Sequence, residues 1–127
     1  MTKQVDKNLK FDLNEELTIL LTKRAQELAR EIYESRISKS QIRNFYDKIL
    51  DLEKKVKVDG FESVYPFIKM LNSKVAYGVS RRVVSREFQD MMEQSLKQID
   101  NNKEGEQKFK NFKLFFEAVL GFFKGSN

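Results

Sequence analysis

The sequence predicts an all-α protein, a compact bundle of about five helices. Three observations lead there. Only one Pro and five Gly interrupt 127 residues rich in Lys, Glu, Gln and Leu, a balance that favours long helices over short strands. Apolar residues return every three or four positions along successive segments, which is the helical period. Side chains that cap helix N-termini stand where those segments begin. The length suits one domain, and the chain divides into a polar leader (1–11) and a single helical domain (12–127).

The first helix is expected from about Glu15 to Glu34. Asp12 and Glu15 have the spacing of a capping box, and Leu17, Leu21, Ala25, Leu28 and Ile32 make a helical stripe. Ser38 with Gln41 forms a second box that opens a helix from about Lys39 to Lys57. Its buried stripe is Ile42, Phe45, Tyr46, Ile49 and Val56, with Arg43, Asp47 and Lys54 lying off it. Asp59-Gly60 breaks the chain before a third helix from about Glu62 to Ser80, in which Pro66 is tolerable within the first turn. Val64, Phe67, Ile68, Leu71, Val75 and Val79 form its core face. A second line on the same helix runs through Met70, Lys74, Tyr77 and Arg81, flanked by Lys69 and Ser73. Ser85 caps a fourth helix that reaches Ile99, with Phe88, Met91, Met92, Leu96 and Ile99 turned inward, and Asp100–Glu106 reads as a polar loop.

The last helix, about Gln107 to Lys124, is apolar around most of its circumference. A helix of that kind is either central to a core or covered by a partner. In a chain this short one helix is not expected to bury every face internally. Phe115, Phe122 and Phe123 are therefore the expected contact residues for another subunit, with Gly121 permitting close approach of a second backbone.

Several function classes are excluded by composition. The chain has no Cys and no His, which removes disulfides, thiolate nucleophiles, the commonest general base and the commonest metal ligand. It has no P-loop, glycine-rich nucleotide fingerprint or calcium loop. No catalytic residue, metal or cofactor is expected. No apolar run reaches the roughly 18 residues of a membrane span, and the N-terminus lacks a signal peptide's apolar stretch, so a cytoplasmic protein with no membrane partner is expected.

The net charge of +5 is unevenly placed. Residues 38–86 carry eleven basic and five acidic side chains, while the flanking segments are close to neutral. From Ser63 to Arg86 there are Lys69, Lys74, Arg81, Arg82 and Arg86 and no acid at all. Such a run is either a solvated face or the footprint of a polyanion. Lys74 and Arg81 with Tyr77 between them match a phosphate track carrying a base-stacking platform.

The runs SKSQIRNFYDKILDLEKK, PFIKMLNSKVAYGVSRR and FKLFFEAVLGFFKG, in that order, resemble the small subunit of type III-A CRISPR effector (Csm) complexes. The likeness covers roughly Ser38 to Lys124. It implies a helical bundle present in several copies, lining the groove where guide RNA pairs with target RNA in antiviral defence. It also implies a non-catalytic protein whose partners are both RNAs, other copies of itself, and the backbone and large subunits that carry the nuclease and cyclic-oligoadenylate chemistry. By position, Arg43, Lys69, Lys74, Tyr77 and Arg81 match the family's RNA-facing element, and Arg82 adjoins it. Two departures stand out: Gly78-Val79-Ser80 replaces the small, glycine-containing run usual before that arginine, and the chain stops at Asn127 where relatives often continue. The runner-up reading is a helical interaction module whose basic face docks an acidic protein. A membrane-surface helix ranks third, because the apolar residues of the Phe-rich helix are not confined to one face.

Overall fold

The computed structural model describes residues 10–35 and 37–123. Its helices are α1 (Leu17–Ile19), a π-helical turn (Leu20–Arg24), α2 (Ala25–Glu34), α3 (Lys39–Asp59), α4 (Phe61–Lys69), α5 (Leu71–Ser80), α6 (Arg86–Lys97) and α7 (Lys103–Phe122). α1, the π turn and α2 follow one another without a gap, and α4 and α5 are separated only by Met70, so five rods result. That is the architecture the sequence predicts.

Two caps form as expected. The Ser38 hydroxyl accepts the Gln41 amide at 3.3 Å, and the Ser85 hydroxyl accepts the Phe88 amide at 3.2 Å. At the first helix only half of the expected box is made. Glu15 accepts the Asp12 amide at 3.1 Å, while Asp12 turns to the Asn14 amide and Glu16 becomes the cap, accepting from Thr18 and Ile19. The stripe of this helix also differs from the expectation. The π turn inserts one residue into the helical repeat, so Leu20 takes the buried place assigned to Leu21, and Leu17 is exposed. Below the turn the register is as read: Ala25, Leu28 and Ile32 are buried, joined by Ala29.

The leader is not polar at its end. Phe11 is buried with its ring centroid 4.6 Å from that of Phe115; Lys10 is exposed, and residues 1–9 of the stretch lie outside the described residues. Amide side chains strap this segment to the bundle. Gln94 accepts the Lys10 amide at 2.7 Å, Gln98 accepts the Leu13 amide at 2.8 Å, and Asn111 donates to the Leu13 carbonyl at 2.7 Å. The two bonds to Leu13, which is fully buried, satisfy backbone groups that burial would otherwise leave unpaired.

α3 ends at Gly60, whose φ of 89° lies in the left-handed region that other residues avoid. The chain reverses there and α4 packs back on α3. Pro66 is the sixth residue of α4 and not part of its first turn, so the Glu62 carbonyl loses its helical donor. The helix resets at Met70, where ψ is −15°. Phe61, Val64, Ile68, Leu71 and Val75 face inward, and Val79 is half-buried. Phe67, expected among them, is 55% exposed. Val64 and Leu71, one turn to either side, and the adjoining Ile68 already fill the seam.

The stretch expected as a loop, Asp100–Glu106, contains the start of α7. Asn102 accepts the Gly105 amide at 2.7 Å and caps the helix, which begins at Lys103. α7 is the central rod, packed on α2, the π turn and α3. Phe109, Phe112, Phe115 and Phe116 on α7 are all buried and meet rings from Phe61, Phe11 and Phe88. This corrects the expectation that α7 outruns what a small bundle can cover. Phe115 and Phe123 are interior, Phe123 lying edge-on to Tyr33 at 5.9 Å, and neither is available to a partner. Of the three expected contact residues only Phe122, 39% exposed, remains on the surface. Gly121 faces open space, so no close approach explains it.

Candidate nucleic-acid interface

α4 packs back on α3 from the turn at Gly60, and the start of α3 shares a groove with the end of α5. Gln41, Asn44 and Lys48 recur at helical spacing along the flank of the buried stripe of α3. Ser73, Lys74, Tyr77 and Arg81 do the same on α5. Together with Phe45, Gly78, Val83 and Val84 they line an open groove of about 480 Å³. Three cations line it and no carboxylate does.

Among the described residues Lys48, Lys74 and Arg81 have no ion-pair partner, and all three side chains are exposed. The Arg81 guanidinium lies 5.5 Å from the centroid of the Tyr77 ring, within cation–π range. Tyr77 is itself 64% exposed. The contact holds both groups at the mouth of the groove and leaves the ring accessible.

α5 ends next to this mouth in a Schellman motif. The Arg82 amide donates to the Val79 carbonyl at 2.9 Å and the Val83 amide to the Gly78 carbonyl at 3.0 Å. Arg82 occupies the left-handed position with φ 62°, where Gly or Asn is usual and any other residue carries strain. Its exposed side chain adds a fourth cation beside Arg81 and, like the other three, has no ion-pair partner among the described residues.

The remaining two expected residues lie elsewhere. Arg43 is two positions past Gln41, about 200° further round α3, and does not line the groove. Lys69 is half-buried on the other flank of α4, where its ammonium donates to the Leu96 carbonyl and sits 5.5 Å from the Tyr65 ring. Tyr65 donates to the Ile99 carbonyl at 3.2 Å, so the pair ties α4 to carbonyls at the end of α6, where the Leu96 carbonyl also accepts the Ile99 amide at 3.1 Å. Burial lowers the Lys69 pKa below the ordinary lysine value, against a smaller upward pull from Asp100. Lys69 is thus committed to the fold, whereas Lys74, Tyr77, Arg81 and Arg82 gather at one place.

Sequence reasoning missed Lys48, Gln41 and Asn44. Their signal was the i, i+3, i+7 spacing of three polar groups directly beside the stripe of α3, which becomes informative only once α5 is known to lie opposite.

No group of three or more acidic side chains with metal-holding geometry occurs among the described residues. No helix among them is long and apolar enough to cross a membrane. A family model described as Csm2 Type III-A matches residues 15–127. No curated protein and no solved structure matches the chain.

Proposed function

Since the chain belongs to the Csm2 Type III-A family, the small subunit of type III-A CRISPR complexes, we propose that it is a non-catalytic RNA-binding subunit gripping guide and target RNA through the α3–α5 groove. The observation that carries this reading is the convergence of Lys48, Lys74 and Arg81 on one carboxylate-free groove beside an exposed tyrosine. Cations with no internal partner attract a polyanion, and phosphate contacts position a strand without reading its bases. That suits a subunit that must accept any guide sequence. Lys74 and Arg81 are seven residues apart, about 10 Å along the helix, enough to reach different phosphates of one strand. Arg82 extends the track beyond the helix end, and Arg43 serves a strand only from the outer side of α3. The work takes place in the cytoplasm, and contacts with other copies and with the backbone and large subunits fall to surfaces away from the groove, Phe122 among them.

Replacing Lys74 and Arg81 together with Ala tests the reading. Both side chains are exposed, so stability is expected to fall by no more than about 0.5 kcal/mol each. Affinity for RNA is expected to drop about fivefold or more. The dependence of log affinity on log salt is expected to flatten by about one unit, since each single-strand phosphate contact carries a slope of about 0.7. Titrating two unrelated RNAs at three salt concentrations gives both numbers, and the loss is expected to be equal for the two sequences. A folded double variant with wild-type affinity and slope places the RNA elsewhere, and loss of binding to an acidic protein instead marks the groove as a protein-docking face.

A further inference from the structure

The exposed line on α4 and α5 is longer than the groove uses. Phe67, Met70, Lys74, Tyr77 and Arg81 follow one another at helical spacing and form a single outward stripe, 55% exposed at Phe67 and 45% at Met70. Phe67 has no ring partner among the described residues, although ring contacts thread the core elsewhere. Phe67 and Met70 border a hollow of about 270 Å³ with Lys48, Asp51, Lys55 and Lys74. Lys48 and Lys74 also line the α3–α5 groove, so the two depressions meet at these lysines and form one continuous surface.

We propose that Phe67, supported by Met70, is a second nucleobase-stacking platform, and that the surface takes a single-stranded or locally unpaired segment in preference to an uninterrupted duplex. The inference rests on the groove being the RNA site and adds the form of RNA it takes. Along the stripe Phe67 and its neighbour Met70 are followed by Lys74, Tyr77 and Arg81, so each ring has a cation beyond it, an arrangement that lets bases stack while backbone phosphates meet positive charge. Phe67 and Tyr77 are ten residues apart, about 15 Å along the helix, too far for adjacent stacked bases. The two rings therefore serve bases separated along an extended strand. Bases inside a duplex are stacked on one another and cannot reach a protein ring. A protein partner at Phe67 would have to cover Lys48, Lys55 and Lys74, and lysine is depleted at protein–protein interfaces.

The test uses Phe67→Leu, which keeps an apolar side chain and loses the ring, and Phe67→Tyr, which keeps the ring. Fluorescence anisotropy of a labelled single-stranded RNA and of the same sequence as a duplex is followed with wild type, both variants and the Lys74→Ala/Arg81→Ala protein. Phe67→Leu is expected to weaken single-strand binding about fivefold or more with the salt slope unchanged, because no phosphate contact is lost. Phe67→Tyr is expected to bind as wild type, and duplex affinity is expected to be the same for all three. Unchanged single-strand affinity in Phe67→Leu overturns the proposal. If the double variant still loses affinity in that case, the groove stands and only the stacking role falls; if it does not, the groove reading falls as well. A Phe67→Leu protein that binds RNA normally but sediments differently identifies a protein contact, which also overturns the proposal.

Discussion

Truncating Phe116 to alanine is expected to cost about 4 kcal/mol of stability and to lower the melting temperature by roughly 15 °C. Phe116 is completely buried on the central helix. Its ring meets Phe88 and Phe112 edge-on at 5.9 and 6.1 Å and stacks on Tyr46 at 6.0 Å. Removing it takes a large apolar surface out of the core and leaves three rings facing a void that a packed interior closes only partly. Tyr46 is anchored from its other end, its hydroxyl donating to Glu117 at 2.7 Å, so it has little freedom to fill the space. Phe122→Ala in the same helix is the control. With Phe122 on the surface, its loss is expected to stay within about 1 kcal/mol. Thermal melts of the two variants decide whether α7 is the centre of the bundle. Equal, small losses contradict that placement.

Gly105→Ala is expected to destabilise the protein by about 3 kcal/mol or to prevent folding. The turn from Asp100 to Asn102 brings the backbone back against the first turn of α7. A Cβ on Gly105 would lie on the Asp100 carbonyl oxygen and 2.8 Å from the Asp100 amide nitrogen. Backbone cannot rotate away as a side chain does, so the cap made by Asn102 at 2.7 Å must break or the turn must open. Gly121→Ala, in the same helix with open space around it, is expected to be neutral or to stabilise by up to about 1 kcal/mol. Denaturant unfolding of the pair separates the effect of contact from that of helix propensity, since propensity alone favours alanine at both sites.

What the sequence made legible was local. Ser38 and Ser85 announce helix starts through one hydroxyl and one amide, and both caps formed. The stripe of α6 was read correctly because a regular helix repeats its own period. Departures came where a neighbour or a break in that period decided the outcome. A π turn leaves no mark in composition, so the inserted residue went unread: Leu20 takes the fully buried place, Leu21 packs on the core only partly buried, and Leu17 is exposed. Asn102 was hidden as a cap inside a polar run resembling a loop. Phe67 has core chemistry, yet the seam it borders was already filled. At the interface, the line through Lys74, Tyr77 and Arg81 was readable from one helix alone. Lys48 was not, because it gains meaning from the groove that α3 shares with α5, and neither was the commitment of Lys69 to the end of α6, which lies 27 residues further along the chain.

The most direct measurement of the central claim is a proton–nitrogen correlation spectrum of the 127-residue protein titrated with a single-stranded RNA of arbitrary sequence. The groove reading predicts that the amides of 41–48 on α3 and of 70–84 on α5 and its connector shift most, that a second unrelated RNA shifts the same set, and that added salt reverses the shifts. Shifts confined to the surface around Tyr33 and Phe122, or none at an RNA concentration that saturates binding by anisotropy, contradict it.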